Sequence, residues 1–330
     1  MSDALTELIE SIRAQDTRAI ARAISLVEND GAQALALLQR LFPYTGRAVV
    51  LGVTGSPGVG KSTLVDRLAQ YYRVRGETVG IIAVDPSSPF TGGAILGDRI
   101  RMHALGTDPG VFIRSMATRG NLGGLARATG DAILILDAAG YEKVIVETVG
   151  VGQGEVDIVK TADVTIVVLM PGLGDDVQTI KAGLMEIGDV FVINKADREG
   201  VSRIESELNA MLAIAERRDG WHPPIVKTIA TEGQGIEELG NAIARFLEFR
   251  ERSPQADRRR QEMAEQRLHA LLRDRLFDFA LRSLTTAEEM TRWAAEIARR
   301  ERDPYSIVEE ILKRCGRPAS TPLSIPERGD

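Results

Sequence analysis

From residue 48 onward, short apolar runs alternate with segments whose apolar residues recur at helical spacing. The runs are Val49–Val53, Val79–Val84, Val111–Ile113, Val144–Val146, Val164–Leu169, Val190–Ile193 and Ile225–Ile229. They are rich in Val and Ile and mostly apolar throughout, which predicts strands covered on both faces. Strands alternating with helices predict a mainly parallel sheet flanked by helices, an α/β fold over about residues 47–250. Before it, Leu5, Leu8, Ile9 and Ile12, and then Ile20, Ala23, Ile24 and Val27, keep helical spacing. Asp16-Thr17 and Asn29-Asp30-Gly31 break the pattern, so residues 1–46 read as an extension of about three helices. After residue 250 the strand rhythm stops. Ala264, Leu268, Leu271, Leu272, Leu276 and Phe279 form a helical stripe within an arm over 251–316, and 317–330 reads as a flexible tail. By pattern alone that stripe fits either a dimer face or packing on its own chain.

Composition narrows the picture. The chain has 330 residues, 44% of them hydrophobic, enough to bury a sizeable core. Its 47 acidic and 41 basic side chains leave a net charge of −6, which argues against a generic nucleic-acid binder. Arg and acidic residues nearly balance between 248 and 303, so that Arg-rich stretch reads as a solvated helix face. Cys315 is the single cysteine, so no intrachain disulfide can form. The acidic start, MSDALTELIESIRAQD, lacks a signal-peptide core, and no apolar run approaches the roughly 18 residues of a membrane span. A cytoplasmic protein is expected.

The chemistry begins at Gly55-Ser56-Pro57-Gly58-Val59-Gly60-Lys61-Ser62, a complete G-x-x-x-x-G-K-[ST] between a predicted strand and a predicted helix. Glycines let the backbone curl until several N–H groups converge on phosphate oxygens, and the helix N-terminus adds positive potential. Lys61 is expected to reach the β- and γ-phosphates and the Ser62 hydroxyl to sit on Mg²⁺. Asn194-Lys195-Ala196-Asp197 follows the Val190–Ile193 run and matches N-K-x-D. A carboxylate at Asp197 would accept from guanine N1–H and the exocyclic amine. Adenine has no N1–H, so the motif selects GTP over ATP. Ala230 and Thr231 stand where a second base-contacting loop is expected.

Asp85 and Glu147 end two further strands, at the sheet edge where ligands bind. They are the first candidates to hold Mg²⁺, with Asp98 a third; each could instead cap a helix or lie on the surface. In Glu147-Thr148-Val149-Gly150 the Gly150 N–H is expected to sense the γ-phosphate. Val151 follows where Ras-like enzymes carry a water-orienting glutamine, and Gln153 is the nearest glutamine. Lys61, Asp85, Glu147 and Gly150 are the expected catalytic set, and slow, partner-stimulated hydrolysis is the expected behaviour.

Together, GSPGVGKS, VDPSSPFTGGAILGDRIRM, RGNLGGL, VIVETVGVGQGE, GDDVQTIKAG and NKAD closely resemble the MeaB-type methylmalonyl-CoA mutase-associated GTPases, over about residues 5–315. The resemblance implies a homodimeric GTPase that chaperones an adenosylcobalamin-dependent acyl-CoA mutase, gating cofactor loading and removal of damaged cofactor. It extends the phosphate loop to Thr63 and implies switches at about 86–98 and 148–156. A third, holding Asp175, Asp176, Gln178 and Lys181, falls at about 171–184. Pro89-Phe90 and Arg99-Ile100 depart from the family's common residues, which leaves the mutase open, including relatives acting on isobutyryl-type or hydroxyisobutyryl-type substrates. A transport ATPase or kinase label fits neither the hydropathy nor the motifs. A metallochaperone GTPase is the alternative, but His103, His222 and His269 are scattered. A signal-recognition GTPase would need a methionine-rich module, and the eight methionines are spread out.

Overall fold

A computed structural model describes residues 2–29, 33–85, 105–117, 122–148, 162–172, 188–214, 217, 219–253 and 256–314. Two compact units divide the chain, Met1–Met263 and Ala264–Asp330.

The first unit is built on a seven-stranded sheet: β1 (Val49–Thr54), β2 (Val79–Asp85), β3 (Val111–Ala117), β4 (Lys143–Glu147), β5 (Val164–Leu169), β6 (Val190–Asn194) and β7 (Ile225–Thr228). Their order is β3-β2-β4-β1-β5-β6-β7 and each pairing is parallel. β4 and β5 flank β1, so the two wings part at β1, and ligands bind at the carboxyl ends of strands at such a point.

The period-2 geometry of a strand explains the unbroken apolar runs. In β5, Val164, Ile166 and Val168 face α4 (Lys61–Val74) and α7 (Ile236–Arg252), whereas Val167 and Leu169 pack with Leu208 of α6 (Val201–Ile214). In β4, Val144 and Val146 face α5 (Leu122–Ala138), and Ile145 faces the α4 side. Both faces are therefore core. At about 25 cal/mol per Å² of buried apolar surface this double coverage is the main stabilising contribution.

The N-terminal extension forms α1 (Ser2–Arg13), α2 (Thr17–Glu28) and α3 (Ala34–Leu41). Asp16 caps α2 by accepting from Ala19 N at 2.7 Å. Ile12, Ile20, Ile24, Leu37 and Leu41 are fully buried and join one cluster with Ala132, Ile135 and Leu136 of α5. The extension thus shares a core with the sheet's outer layer. It also explains why β3 runs to Ala117 although its apolar run stops at Ile113: Arg114 pairs with Glu28 and bonds Ser25 at 3.0 Å, both on α2. That partnership lets a cation sit inside a strand.

α8 (Ala256–Phe279) leads through a π-helical turn, Ala280–Leu284, to α9 (Ala287–Ala298) and α10 (Pro304–Arg314). Within the second unit, Thr286 and Glu289 form a capping box on α9. Arg314 reaches back to the Leu284 carbonyl at 2.7 Å and to Glu289 at 3.0 Å, beside buried Trp293. Leu268, Leu272, Leu276 and Phe279 of the predicted stripe are exposed. Among the described residues no helix is long and apolar enough to cross a membrane.

Candidate functional site

β1 ends at Thr54, and the chain turns through residues 55–60 before α4 starts at Lys61. Gly55, Gly58 and Gly60 take φ of 143°, 83° and 95°, a region that L side chains rarely enter. Gly55 is constrained twice, because a Cβ there would lie 2.1 Å from the Val168 carbonyl oxygen of the neighbouring strand. Val59 is buried and anchors the turn, while Ser56 is half-buried and Pro57 and Gly58 are exposed. The result is a glycine-bent loop leading into a helix N-terminus, which suits an anion.

Lys61 is 6% exposed. Its ammonium donates to the loop carbonyls of Gly55 at 2.6 Å and Ser56 at 3.0 Å. The cation is thereby held over the loop rather than out in solvent. Ser62, next along α4, donates its hydroxyl to Glu147 Oε1 at 2.6 Å, and Glu147 is buried at the end of β4. A serine hydroxyl and a carboxylate meeting at the mouth of a phosphate loop form the all-oxygen donor set that a hard divalent cation takes, so these residues fit Mg²⁺. Thr63 follows in the same turn and is half-buried. Asp85 closes β2 opposite Ala117; its backbone is described and its carboxylate is not. Asp98, Gly150, Val151, Gln153 and Cys315 lie outside the described residues, as do 86–98, 149–156 and 173–184 of the expected switches. Thr148, just past Glu147, donates its N–H to the Val53 carbonyl at 3.0 Å.

Asn194 brings the predicted base loop onto the phosphate loop. Its amide nitrogen donates to the Val59 carbonyl at 2.8 Å. Its amide oxygen accepts from the Thr228 hydroxyl at 3.0 Å and from Ala230 N at 3.2 Å. Lys195, at φ 56°, donates Nζ to the Gly58 carbonyl at 2.7 Å. Asp197 is exposed two residues on. Asn194 thereby links Ala230, next to Thr231 in the chain, to the phosphate loop.

The motifs miss one member. Arg67 of α4 donates Nε to the Ala230 carbonyl at 3.1 Å and Nη2 to the Thr231 carbonyl at 2.8 Å. Its partners are backbone oxygens more than 160 positions away, and any residue type supplies those.

A glycine-bent anion loop on a parallel sheet, joined to an N-K-x-D loop, defines the class: a P-loop GTPase. The profile of the family described as methylmalonyl Co-A mutase-associated GTPase MeaB matches residues 20–285, and the chain belongs to that family. A Pyrococcus abyssi relative provisionally named a GTPase is 52% identical over 314 residues, spanning 94% of this chain and 96% of its own. GTPase ArgK of Escherichia coli is 38% identical over 297 residues, 88% of each chain. Among solved structures, one titled LAO/AO transport system kinase aligns with a TM-score of 0.70 at 27% identity, covering 96% of this chain and 99% of that one. That title's transport and kinase terms describe the other protein.

Proposed function

We propose that this chain is a Mg-dependent GTP switch that guards an adenosylcobalamin-dependent acyl-CoA mutase, methylmalonyl-CoA mutase or a close relative. One observation carries the reading: the mutase-associated family profile spans residues 20–285, which contain the phosphate loop, Glu147 and the base loop. In this reading Asp197 accepts from the guanine N1–H and amine, while Asn194 and Lys195 hold that edge at a set distance from the phosphates. The backbone N–H groups of residues 58–62 take the phosphate oxygens, Pro57 having none to give. Lys61 exchanges its two carbonyl partners for β- and γ-phosphate oxygens, keeping its charge satisfied throughout. Ser62 and Glu147, with Asp85 and Asp98, are the residues that would hold Mg²⁺, whose charge favours the developing negative charge on the phosphates. Gly150 senses the γ-phosphate.

Hydrolysis adds water to the γ-phosphorus and breaks its bond to the β–γ bridging oxygen, releasing GDP and phosphate. Val151 stands where a water-orienting glutamine would help, so the free protein turns over slowly and a partner speeds it. The chain acts in the cytoplasm as a homodimer, with the exposed Leu268, Leu272, Leu276 and Phe279 face of α8 as the contact.

The test mixes the protein with candidate mutases and follows complex formation by light scattering, with GDP or a non-hydrolysable GTP analogue. Nucleotide-dependent association with one mutase, and faster GTP hydrolysis in that complex, are expected. No association with any cobalamin mutase in either state overturns the reading.

A further inference from the structure

The loop after β7 closes on itself tightly. Ile229 N donates to the Gln234 carbonyl at 3.1 Å and Glu232 N to the Ile229 carbonyl at 2.9 Å. Gly235 makes the turn at φ 76°, where a Cβ would lie 2.1 Å from the Lys227 carbonyl oxygen. Internal closure gives the loop a shape but not a position. Two side chains supply the position. Asn194 takes the N–H of Ala230, and Arg67 takes the carbonyls of Ala230 and Thr231. Ala230 is thus gripped at its N–H by the base loop and at its carbonyl by the helix that carries Lys61 and Ser62.

The grip is itself braced. Arg67 Nη1 donates to Gln70 Oε1 at 3.2 Å, and Gln70 Nε2 donates to Asp66 Oδ2 at 2.8 Å. A guanidinium is planar and forked, so it can catch two successive carbonyls in one fixed geometry, which a lysine ammonium does less well. Because Arg67 lies in the second turn of α4, any shift of that helix is transmitted to the loop.

We propose that Arg67 is a positioning residue for nucleotide selectivity: it sets the 229–232 loop against the 6-oxo edge of guanine. The proposal rests on the reading of Asn194–Asp197 as the guanine loop. If Asp197 takes the N1–H and the amine, O6 is the remaining polar atom on that edge. It is an acceptor; the Ile229, Ala230 and Glu232 N–H groups already have acceptors in the protein, so the Thr231 N–H is the loop donor left to meet it.

The test compares wild type, Arg67→Ala and Arg67→Lys by calorimetric titration with GDP, ADP and 6-thio-GDP, which keeps the Asp197 contacts but presents sulfur, a weak acceptor, at position 6. Wild type is expected to prefer GDP to ADP and to bind 6-thio-GDP about tenfold more weakly than GDP, the worth of one good hydrogen bond. Arg67→Ala is expected to bind GDP about tenfold more weakly while its affinity for 6-thio-GDP hardly changes, so the penalty for sulfur disappears. Arg67→Lys falls between, and carries the comparison if the alanine variant unfolds. Equal weakening for both guanine nucleotides, with the sulfur penalty kept, makes Arg67 a structural brace and overturns the proposal, as does unchanged GDP affinity. If wild type binds ADP as tightly as GDP, the guanine reading fails and the proposal with it; if only the variant data fail, the guanine reading stands.

Discussion

The amide nitrogen of Asn194 donates to the carbonyl of Val59 at 2.8 Å, which fastens the loop after β6 to the phosphate loop after β1. The same side chain accepts from the Thr228 hydroxyl and Ala230 N, so one buried residue ties three loops at the carboxyl edge of the sheet. Asn194→Ala leaves a buried carbonyl, hydroxyl and N–H to find new partners. Each unmet group costs about 1–3 kcal/mol, and partial relaxation brings the sum to about 2–4 kcal/mol. The variant is expected to melt several degrees lower in thermal unfolding and to bind GDP at least about tenfold more weakly by titration. Wild-type affinity in a folded variant would show that the three-way tie does not set the nucleotide site.

The phosphate-loop glycines are not equivalent, although all three take positive φ. A Cβ on Gly55 would overlap the Val168 carbonyl oxygen at 2.1 Å, and backbone of a central strand cannot step aside. A Cβ on Gly58 meets nothing within 4 Å, so only the φ of 83° opposes it. Gly58→Ala is expected to cost about 1–2 kcal/mol and to keep measurable nucleotide binding. Gly55→Ala is expected to cost about 3 kcal/mol or more and to abolish binding. Urea unfolding of the two variants side by side reads the order directly, and the reverse order would contradict the steric account.

Legibility in the sequence follows the locality of the cause. The phosphate loop reads directly because its physics sits in eight consecutive residues, and the parallel sheet reads directly because double burial leaves unbroken Val/Ile runs. β3 reads short because Arg114 and Ser115 interrupt its run, and the partner that makes Arg114 tolerable, Glu28, lies on another element. Asp137 is similarly silent in sequence, yet its carboxylate accepts from the amides of Gly46, Arg47 and Ala48 at 2.6, 3.1 and 3.0 Å and so sets how the chain enters β1. Arg67 belongs with these. A side chain bonded to backbone leaves no complementary residue type to search for.

Ser62 and Glu147 make a sharper pair to test than either alone. Their 2.6 Å contact places a hydroxyl and a carboxylate where Mg²⁺ binding is proposed. Titrating GDP with Mg²⁺ and again with EDTA isolates the cation's contribution. Wild type is expected to bind more tightly with Mg²⁺, and Ser62→Ala to lose most of that gain, about tenfold or more. Glu147→Gln still accepts from the Ser62 hydroxyl through its amide oxygen, so the fold persists. It removes the charge, and the Mg²⁺ dependence should fall with it. If both variants keep the full difference between the Mg²⁺ and EDTA titrations, the cation is held elsewhere.

Asp197 decides which base is read, and the prediction can be made to run in both directions. As a carboxylate it only accepts, which matches the two donors of guanine, N1–H and the 2-amine. Asparagine at this position offers one acceptor and one donor. Xanthine keeps the N1–H but carries a 2-oxo group in place of the amine, so Asp197→Asn meets xanthine with a complementary pair and meets guanine with donor against donor. The exposed position of Asp197 makes a folding defect a minor concern, because few buried groups depend on it. The variant is expected to lose about tenfold to a hundredfold in affinity for GTP and to gain a comparable factor for xanthosine triphosphate, since a site built for hydrogen bonds rejects the ligand that leaves them unpaired. Competition of both nucleotides against a fluorescent guanine nucleotide in wild type and variant supplies all four numbers. Unchanged GTP affinity in the variant would remove Asp197 from the base site, whatever the N-K-x-D pattern suggests.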